Sequence, residues 1–490
     1  MQQVNIPAAP LEVLALLLPA ERWFHLKARA AHAHDLLAAR VVWNVSATAE
    51  GGGVAEMLHT LLAYGRGAGV DLRWLVLDGD PEFFAITKRI HNALHGSEEG
   101  GHELGAAEHE HYERVLRGNL AELTSLVRPG DIVLLHDPQT AGLVEGMRAA
   151  GVHVVWRCHI GRDDPTAATE RGWAFLRGYL ANADAFVFSR REYIPSWAEF
   201  DRVRVIAPSI DPFSAKNREL DDVEVDSVLR QVGLIAGRDG IPSVEFTRRD
   251  GSTAVVRRHT HLMSGPPPPE GARLVVQVSR WDLLKDMAGV LSAFADFIVP
   301  ATPDVHLILA GPDVSGVSDD PEGAQVLADC RAAWARLPQP VRDRCHLACI
   351  PMDDVDENAI IINALQRRAT VVVQKSLQEG FGLTVTEALW KSRPMLASAV
   401  GGIQEQIVDG QEGLLLTDPR DLPGFASHLR MLLDDPELAE QMGRNGHARV
   451  QDDFIGDRHL IRHVDLFDDL LGPVPAERSG VSTALPGPPS

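Results

Sequence analysis

Short apolar runs rich in β-branched residues alternate along most of the chain with stretches whose apolar residues recur at helical spacing. The runs predict strands at residues 40–45, 72–77, 132–135, 153–158, 185–188 and 203–207, and again at 274–278, 305–310, 346–350, 371–374, 395–398 and 413–416. Strands separated by helices favour parallel, doubly wound sheets, because a parallel connection needs a crossover. The predicted fold class is therefore α/β, with two Rossmann-like domains.

An interruption of this alternation divides the chain into predicted domains. The interruption contains a hairpin turn at residues 248–252 and a stiff proline-rich linker at 265–270. The predicted divisions are a helical segment at residues 1–38, a Rossmann-like domain at 39–215, an insertion and linker at 216–272, a second Rossmann-like domain at 273–455, a C-terminal helix at 456–472 that packs back on the first domain, and a disordered tail at 473–490.

Composition narrows the possible partners. The net charge of −21 argues against nucleic acid or an anionic membrane as the main partner. Four cysteines without C-x-x-C spacing predict no metal site, and so few in 490 residues fit a reducing cytoplasm. The apolar run at residues 11–18 lacks a basic start and ends at Pro19, so neither a signal peptide nor a membrane span is predicted there. The oligomeric state stays open, with a homodimer among the candidates.

Two carboxylates, Glu379 and Glu387, stand around a glycine-rich turn. The first follows the predicted strand at 371–374, and the second lies about one turn into a predicted helix. Glycines let a ligand approach the backbone, and a helix N-terminus offers N–H groups to a phosphate. A sugar on one carboxylate and its phosphates on the N–H groups make a sugar-nucleotide site. The predicted ligand-binding residues are Gly380, Phe381, Gly382, Leu383, Thr384 and Glu387.

Two cations, Arg280 and Lys285, share the loop after the predicted strand at 274–278. An arginine fork and a lysine point charge match a diphosphate leaving group. The alternative interpretation is a helix cap at Ser279 or Asp282 with solvated cations.

Candidate residues in the first half also lie at the carboxyl ends of strands, where open α/β sheets bind ligands. Gly51, Gly52 and Gly53 permit close approach of a ligand but match neither a dinucleotide fingerprint nor a P-loop, and a flexible turn is the alternative. Asp137 is placed to orient or deprotonate a sugar hydroxyl, or to open a turn. His159 is placed to bond a sugar hydroxyl or the backbone.

Together these segments resemble the retaining GT-B glycosyltransferases of the family-4 type. Within that class the chain is similar to the trehalose-forming glycosyltransferases and the retaining trehalose phosphorylases. The resemblance covers roughly residues 40–470. The segments that carry it are residues 50–56, 79–84, 136–139, 156–160, 208–212, 279–285 and the Glu379/Glu387 element.

The resemblance implies a GT-B fold, in which two Rossmann-like domains face each other across a cleft. The first domain would hold the acceptor and the second the nucleotide sugar. The resemblance implies that Arg280 and Lys285 bind the donor diphosphate, that Glu387 binds the ribose and that Glu379 contacts the donor glucose hydroxyls. It also implies that His159 lies near the donor sugar and Asp137 near acceptor or donor hydroxyls. The loop of Gly51, Gly52 and Gly53 would face the donor phosphate and the acceptor.

The implied reaction is transfer of glucose from a nucleoside-diphosphate glucose to glucose, which gives trehalose with retention. No metal or other cofactor is expected, because the cations take the place of a metal. The nearest alternative is phosphorolysis of trehalose to α-glucose 1-phosphate and glucose. Further alternatives are a two-carboxylate glycosidase and a non-enzymatic sugar-binding protein. The donor base, the exact acceptor and the physiological direction stay open.

Two features depart from the pattern of the family. The family usually has an aromatic residue and a glycine flanking the lysine of the cation loop, whereas Leu283 and Leu284 precede Lys285 here and Asp286 follows it. The region 225–270 is also longer than the resemblance leads us to expect.

Overall fold

The computed structural model describes residues 1–49, 52–97, 104–237, 243–259, 262–314 and 322–472. Gly51 and the tail at 473–490, on which two predictions fall, lie outside the described residues. Within these ranges the strands form a seven-stranded sheet, a six-stranded sheet and a two-stranded hairpin.

The strands are β1 (Gln2–Val4), β2 (Val42–Ser46), β3 (Leu72–Val76), β4 (Ile132–His136), β5 (His153–Cys158), β6 (Ala185–Phe188), β7 (Val203–Val205), β8 (Glu245–Thr247), β9 (Thr253–Val255), β10 (Arg273–Val278), β11 (Val305–Pro312), β12 (Cys345–Ile350), β13 (Val371–Gln374), β14 (Met395–Ser398) and β15 (Gly413–Leu416). The helices are α1 (Ala20–Leu37), α2 (Gly53–Gly67), α3 (Pro81–Leu94), α4 (Ala106–Leu126), α5 (Val144–Ala149), α6 (Ala167–Leu180), α7 (Asp222–Gln231), α8 (Met287–Ala293), α9 (Gly323–Arg336), α10 (Gln339–Arg342), α11 (Val355–Arg368), α12 (Leu383–Trp390), α13 (Ile403–Gln406), α14 (Leu422–Asp434), α15 (Pro436–Asp453) and α16 (Gly456–Leu471).

The first sheet has the strand order β1-β3-β2-β4-β5-β6-β7, and its neighbours from β3 to β7 run parallel. Within residues 1–38, which were predicted to be helical, Gln2–Val4 forms an edge strand instead and pairs antiparallel with β3. Three residues are too few to carry a periodic pattern. Residues Gln2–Val4 form hydrogen bonds with backbone groups that the edge of β3 would otherwise expose.

The second sheet is parallel throughout, in the order β12-β11-β10-β13-β14-β15. Strands β13 and β14 are buried along their whole length. Helices cover both faces of such a sheet, so its strands appear in the sequence as continuous apolar runs rather than alternating ones. The predictions at residues 371–374, 395–398 and 413–416 match the observed strands.

The insertion between the sheets folds onto the second one. The predicted turn at residues 248–252 is confirmed, because β8 and β9 pair antiparallel and the N–H of Arg248 donates to the carbonyl of Ser252 at 2.8 Å. Helix α7 packs against α11, with Val228 and Leu229 in the core.

The chain returns to the first sheet at its end. Helix α16 packs on α1 and α2, and Leu466 and Phe467 are buried with residues of β2 and β4. Arg22 of α1 pairs with the buried Asp457 of α16 at 2.8 Å. None of the helices in the described part of the chain combines the length and the apolar character that a membrane crossing needs.

Candidate active site

A cavity of about 350 Å³ lies between the two sheets, beyond the carboxyl ends of their strands. The predicted site residues that the structure describes all line this cavity. They are Gly52, Gly53, Asp137, His159, Arg280, Lys285, Glu379, Gly380, Phe381, Gly382, Leu383, Thr384 and Glu387. The remaining prediction, Gly51, lies outside the described residues.

Contacts between the two halves hold the turn that carries Glu379. The hydroxyl of Tyr193 lies 2.9 Å from the carbonyl oxygen of Glu379 and 2.6 Å from that of Gly380. Arg190 donates to the carbonyl of Gly401 at 2.6 Å. A Cβ on Gly401 would lie 1.8 Å from the carbonyl oxygen of Glu379, so only glycine permits this approach. The turn that carries Glu379 is therefore fixed by both halves.

The loop after β10 concentrates positive charge at the cavity. Nζ of Lys285 lies 2.7 Å from both carboxylate oxygens of Glu379. Burial raises the pKa of Asp282, but Lys285, Lys88 and Arg280 outweigh burial and hold that pKa below its usual value. Asp282 also accepts from the N–H of Leu284 at 2.8 Å, so the capping alternative and the cation loop coexist. The arrangement suits an anionic group that replaces Glu379 as partner of Lys285.

Helix α12 presents its N-terminus to the cavity. Gly382 precedes the helix with a φ of 85°, a left-handed conformation that glycine adopts without strain. A Cβ on Gly380 would lie 2.8 Å from the carbonyl oxygen of His159. The two glycines thus bring the turn against the first half and leave the N–H groups of Leu383 and Thr384 at a place suited to a phosphate.

Glu387 is 1% exposed, and its two carboxylate oxygens differ in their surroundings. Its Oε1 lies 3.0 Å from Nζ of Lys216, which also bonds both oxygens of Glu56 at 3.0 Å. Its Oε2 has no hydrogen-bond partner among the described residues. Burial raises the pKa of Glu387 even though Lys216 opposes that shift. A buried carboxylate oxygen without a partner among the described residues, on a side chain that lines the cavity, suits a ligand hydroxyl.

Lys216 is a site residue that sequence reasoning missed. Burial lowers its pKa, but Glu387 and Glu56 outweigh burial and raise it above the usual value, so the lysine stays charged. It follows β7 in an irregular segment, and no spacing relates it to either glutamate. Only the fold brings the three side chains together.

Asp137 and His159 form the wall of the cavity in the first half. Oδ1 of Asp137 accepts from the N–H of His159 at 2.7 Å, and Nε2 of His159 lies 3.1 Å from Nδ1 of His136. Asp137 has φ 64° and ψ 178°, a conformation that residues other than glycine rarely adopt. Burial raises its pKa to about 7. A carboxyl with a strained backbone and a pKa raised towards neutrality is typical of a functional position.

Sequence reasoning also missed two histidines, His91 in α3 and His95 directly after that helix. His91 and His95 line the cavity with their rings 4.8 Å apart. Burial, followed by the charge of Lys285, lowers the pKa of His95 to about 4. His95 is therefore a neutral imidazole beside the cation loop, able to bond a sugar hydroxyl. A lone histidine in a helical pattern carries no signal of such a role.

The structure explains the aspartate that follows Lys285. Asp286 has a φ of 48°, in the left-handed region where glycine is usual, and its carboxylate accepts from the N–H of Gly289 at 3.2 Å at the start of α8. The same carboxylate pairs with Lys375, whose side chain is 1% exposed. The ion pair offsets the backbone strain and the burial of the lysine.

Breaking this pair from one side is expected to destabilise the protein. Asp286→Gly leaves Lys375 buried without its partner, so we expect a loss of about 3 kcal/mol in the free energy of unfolding. The double variant Asp286→Gly/Lys375→Met removes both charges and the strain, and it is expected to recover most of that loss. Thermal unfolding of the two variants and the wild type measures the effect. Equal destabilisation of both variants would contradict this explanation.

Comparison with known proteins bears on both halves of the site. Residues 44–195 match the family described as trehalose synthase, N-terminal domain, and residues 357–449 match the glycosyl transferases group 1 family. The chain is 35% identical over 439 residues to the trehalose synthase of Rubrobacter xylanophilus, a match that covers 89% of this chain and 92% of that protein. It is 26% identical to the trehalose phosphorylase of Pleurotus pulmonarius, covering 83% of this chain and 54% of that protein.

A solved structure bears on the fold. The α,α-trehalose-phosphate synthase (UDP-forming) of Burkholderia vietnamiensis superposes with a TM-score of 0.64 at 15% identity, over 87% of this chain and 98% of that one. The predicted α/β fold with two Rossmann-like domains across a cleft is confirmed.

Proposed function

The chain belongs to the trehalose synthase family of GT-B glycosyltransferases, and from that premise we propose that it transfers glucose from a nucleoside-diphosphate glucose to glucose, forming trehalose with retention. The observation that carries the proposal is one cavity lined by Arg280 and Lys285 of the cation loop and by Glu387, whose buried Oε2 has no partner within the part of the chain that the structure describes. A diphosphate needs the cations of Arg280 and Lys285, and a ribose hydroxyl suits the buried oxygen of Glu387. Inorganic phosphate alone needs only the cations.

The donor is held so that its bond to the diphosphate can break. Its diphosphate takes Glu379's place beside Lys285, with Arg280 and the N-terminus of α12 as further partners. Glu379, released from the lysine, accepts hydrogen bonds from donor glucose hydroxyls. Positioning and charge stabilisation of an oxocarbenium-like state then supply most of the rate.

The acceptor glucose attacks the anomeric carbon from the face on which the diphosphate leaves, and configuration is therefore retained. The bond between the anomeric carbon and the diphosphate oxygen breaks, and the bond to the acceptor oxygen forms. The proton of the attacking hydroxyl passes to the leaving diphosphate. Asp137, His159 and His95 bond the sugar hydroxyls. Lys285 and Arg280 neutralise the negative charge of the leaving diphosphate, as a metal ion otherwise would, so the proposed reaction requires no metal.

A second candidate is phosphorolysis of trehalose. The similarity to the trehalose phosphorylase of Pleurotus pulmonarius favours it. Phosphate would lie at Arg280 and Lys285 and attack where the diphosphate otherwise leaves. This candidate leaves Oε2 of Glu387 without a ligand partner, and for that reason we rank it second.

A donor panel separates the two candidates. Purified protein is incubated with glucose and with UDP-, ADP- or GDP-glucose, or with α-glucose 1-phosphate, and trehalose is measured by chromatography. We expect trehalose from a nucleotide donor and none from α-glucose 1-phosphate. Trehalose from α-glucose 1-phosphate alone would make the protein a phosphorylase. The cytoplasmic setting and the homodimer stay predictions.

A further inference from the structure

The hairpin in the insertion is a packed and ion-paired part of the second half. Its strands pair from Glu245 opposite Val255 to Thr247 opposite Thr253, and Gly251 closes the turn with a φ of 83°. Phe246 is buried in the core of the second half.

Arginines of the insertion pair with acidic residues at the N-terminal end of α11. Nη2 of Arg248 lies 2.6 Å from Oδ2 of Asp354, and Nε of Arg249 lies 2.9 Å from Oδ1 of Asp356. The main-chain N–H of Arg249 also donates to Asp356, at 3.1 Å. Farther along, Nε of Arg257 donates to Glu357 at 2.6 Å. These pairs fix the position of the turn over the helix end.

The two arginines of the turn differ in what they face. Arg249 lines the cavity between the two sheets, whereas Arg248 does not. The same cavity is also lined by Met352, Val355, Asn358 and Ile362. The amide of Asn358 is fixed by donation to the carbonyl of Pro351 at 2.9 Å. An apolar wall with a few oriented polar groups suits a flat heterocycle.

We propose that Arg249 contacts the base of the donor nucleotide and determines which base is preferred. This inference rests on the proposed function, because it supposes a nucleoside-diphosphate donor. The side chain of Arg249 is 41% exposed and forms an ion pair with Asp356, which is 9% exposed and also accepts the main-chain N–H of Arg249 at 3.1 Å. A guanidinium held in this way offers a planar cation that stacks on a base or bonds its carbonyl groups. The diphosphate has its own cations, Arg280 and Lys285, on the loop after β10.

Calorimetric binding of UDP, ADP, GDP and inorganic diphosphate tests the proposal. The variants are Arg249→Ala, Arg249→Lys and, as a matched control on the same turn, Arg248→Ala. We expect Arg249→Ala to weaken the tightest nucleoside diphosphate about tenfold and to narrow the differences among the three bases. Inorganic diphosphate, which has no base, should bind as it does to the wild type.

Two control variants show whether base preference depends on the planar guanidinium of Arg249, on its charge alone or on the folding of the turn. Arg249→Lys keeps the charge and loses the planar fork, and we expect it to lose base preference as Arg249→Ala does. Arg248→Ala breaks the neighbouring ion pair and should leave the preference intact. Equal weakening of inorganic diphosphate and nucleotides by Arg249→Ala would reduce Arg249 to a general charge and overturn the proposal. Unchanged nucleotide binding in that variant would overturn it too.

Failure of the proposed function has its own signature in the same experiment. A wild-type protein that binds none of the three nucleoside diphosphates contradicts the proposed function, and the inference falls with it. A wild-type protein that binds one of them, together with an Arg249→Ala variant that binds it equally well, contradicts only the role of Arg249.

Discussion

Lys285→Ala is expected to lower kcat/KM for the nucleoside-diphosphate glucose by about 10³-fold. The substitution removes a cation that we propose binds the diphosphate. It also leaves Glu379, whose two oxygens lie 2.7 Å from Nζ of Lys285, as an uncompensated carboxylate at the phosphate position. Steady-state kinetics with the preferred donor measure the loss, and thermal unfolding checks that the variant folds.

A double-variant cycle separates these two effects. Glu379→Gln keeps the lysine and is expected to reduce the rate while retaining affinity for the nucleoside diphosphate. In Lys285→Ala/Glu379→Gln the repelling carboxylate is gone, so nucleoside-diphosphate binding should recover part of what Lys285→Ala loses. A Lys285→Ala variant within tenfold of the wild type, or additive losses in the double variant, would contradict the assigned roles.

Asp137→Gly is expected to lower kcat by about 10²-fold or more and to raise stability at the same time. The residue has φ 64° and ψ 178°, where strain in residues other than glycine is on the order of 1–3 kcal/mol. Glycine relieves that strain and removes the carboxyl, but it also removes the group that we propose bonds a sugar hydroxyl. Kinetics and the melting temperature measure the two effects. A glycine variant that is inactive and less stable than the wild type would contradict strain at this position.

Asp137→Asn tests the titration of the same carboxyl. Burial raises the pKa of Asp137 from 3.8 to about 7, so the folded chain holds the proton more tightly than the unfolded chain does. Stability from this group is therefore present below about pH 4 and is lost as pH rises towards 7. The asparagine variant has no proton to lose. Its melting temperature relative to the wild type is expected to rise from pH 5 to pH 8, and parallel profiles would contradict the shift.

Local patterns predicted the elements that position the site. Strands such as β13 are buried on both faces, so their apolar runs mark them clearly. The glycines before α12, Gly380 and Gly382, stand between a predicted strand and a predicted helix, a pattern typical of a turn that binds a ligand. Because ligands bind at the carboxyl ends of strands, the predicted residues of both halves could be assigned to one cleft.

The sequence carried no signal for side chains that only tertiary structure brings to the site. Lys216 and Arg249 lie in irregular or inserted segments, and their partners Glu387 and Asp356 are distant in the sequence. His95 lies at the end of an ordinary amphipathic helix. The left-handed conformation of Asp286 could not be predicted either, because glycine is the usual residue there and the compensating Lys375 belongs to another loop.

The proposed reaction, retaining glucose transfer without a metal, can be followed by real-time NMR. The purified protein is mixed with ¹³C-labelled nucleoside-diphosphate glucose, unlabelled glucose and a metal chelator. We expect the label to move from the donor into α,α-linked trehalose while nucleoside diphosphate accumulates, and we expect the chelator not to slow the reaction. Label appearing as free glucose, as a β-linked disaccharide, or in trehalose only without the chelator would contradict it.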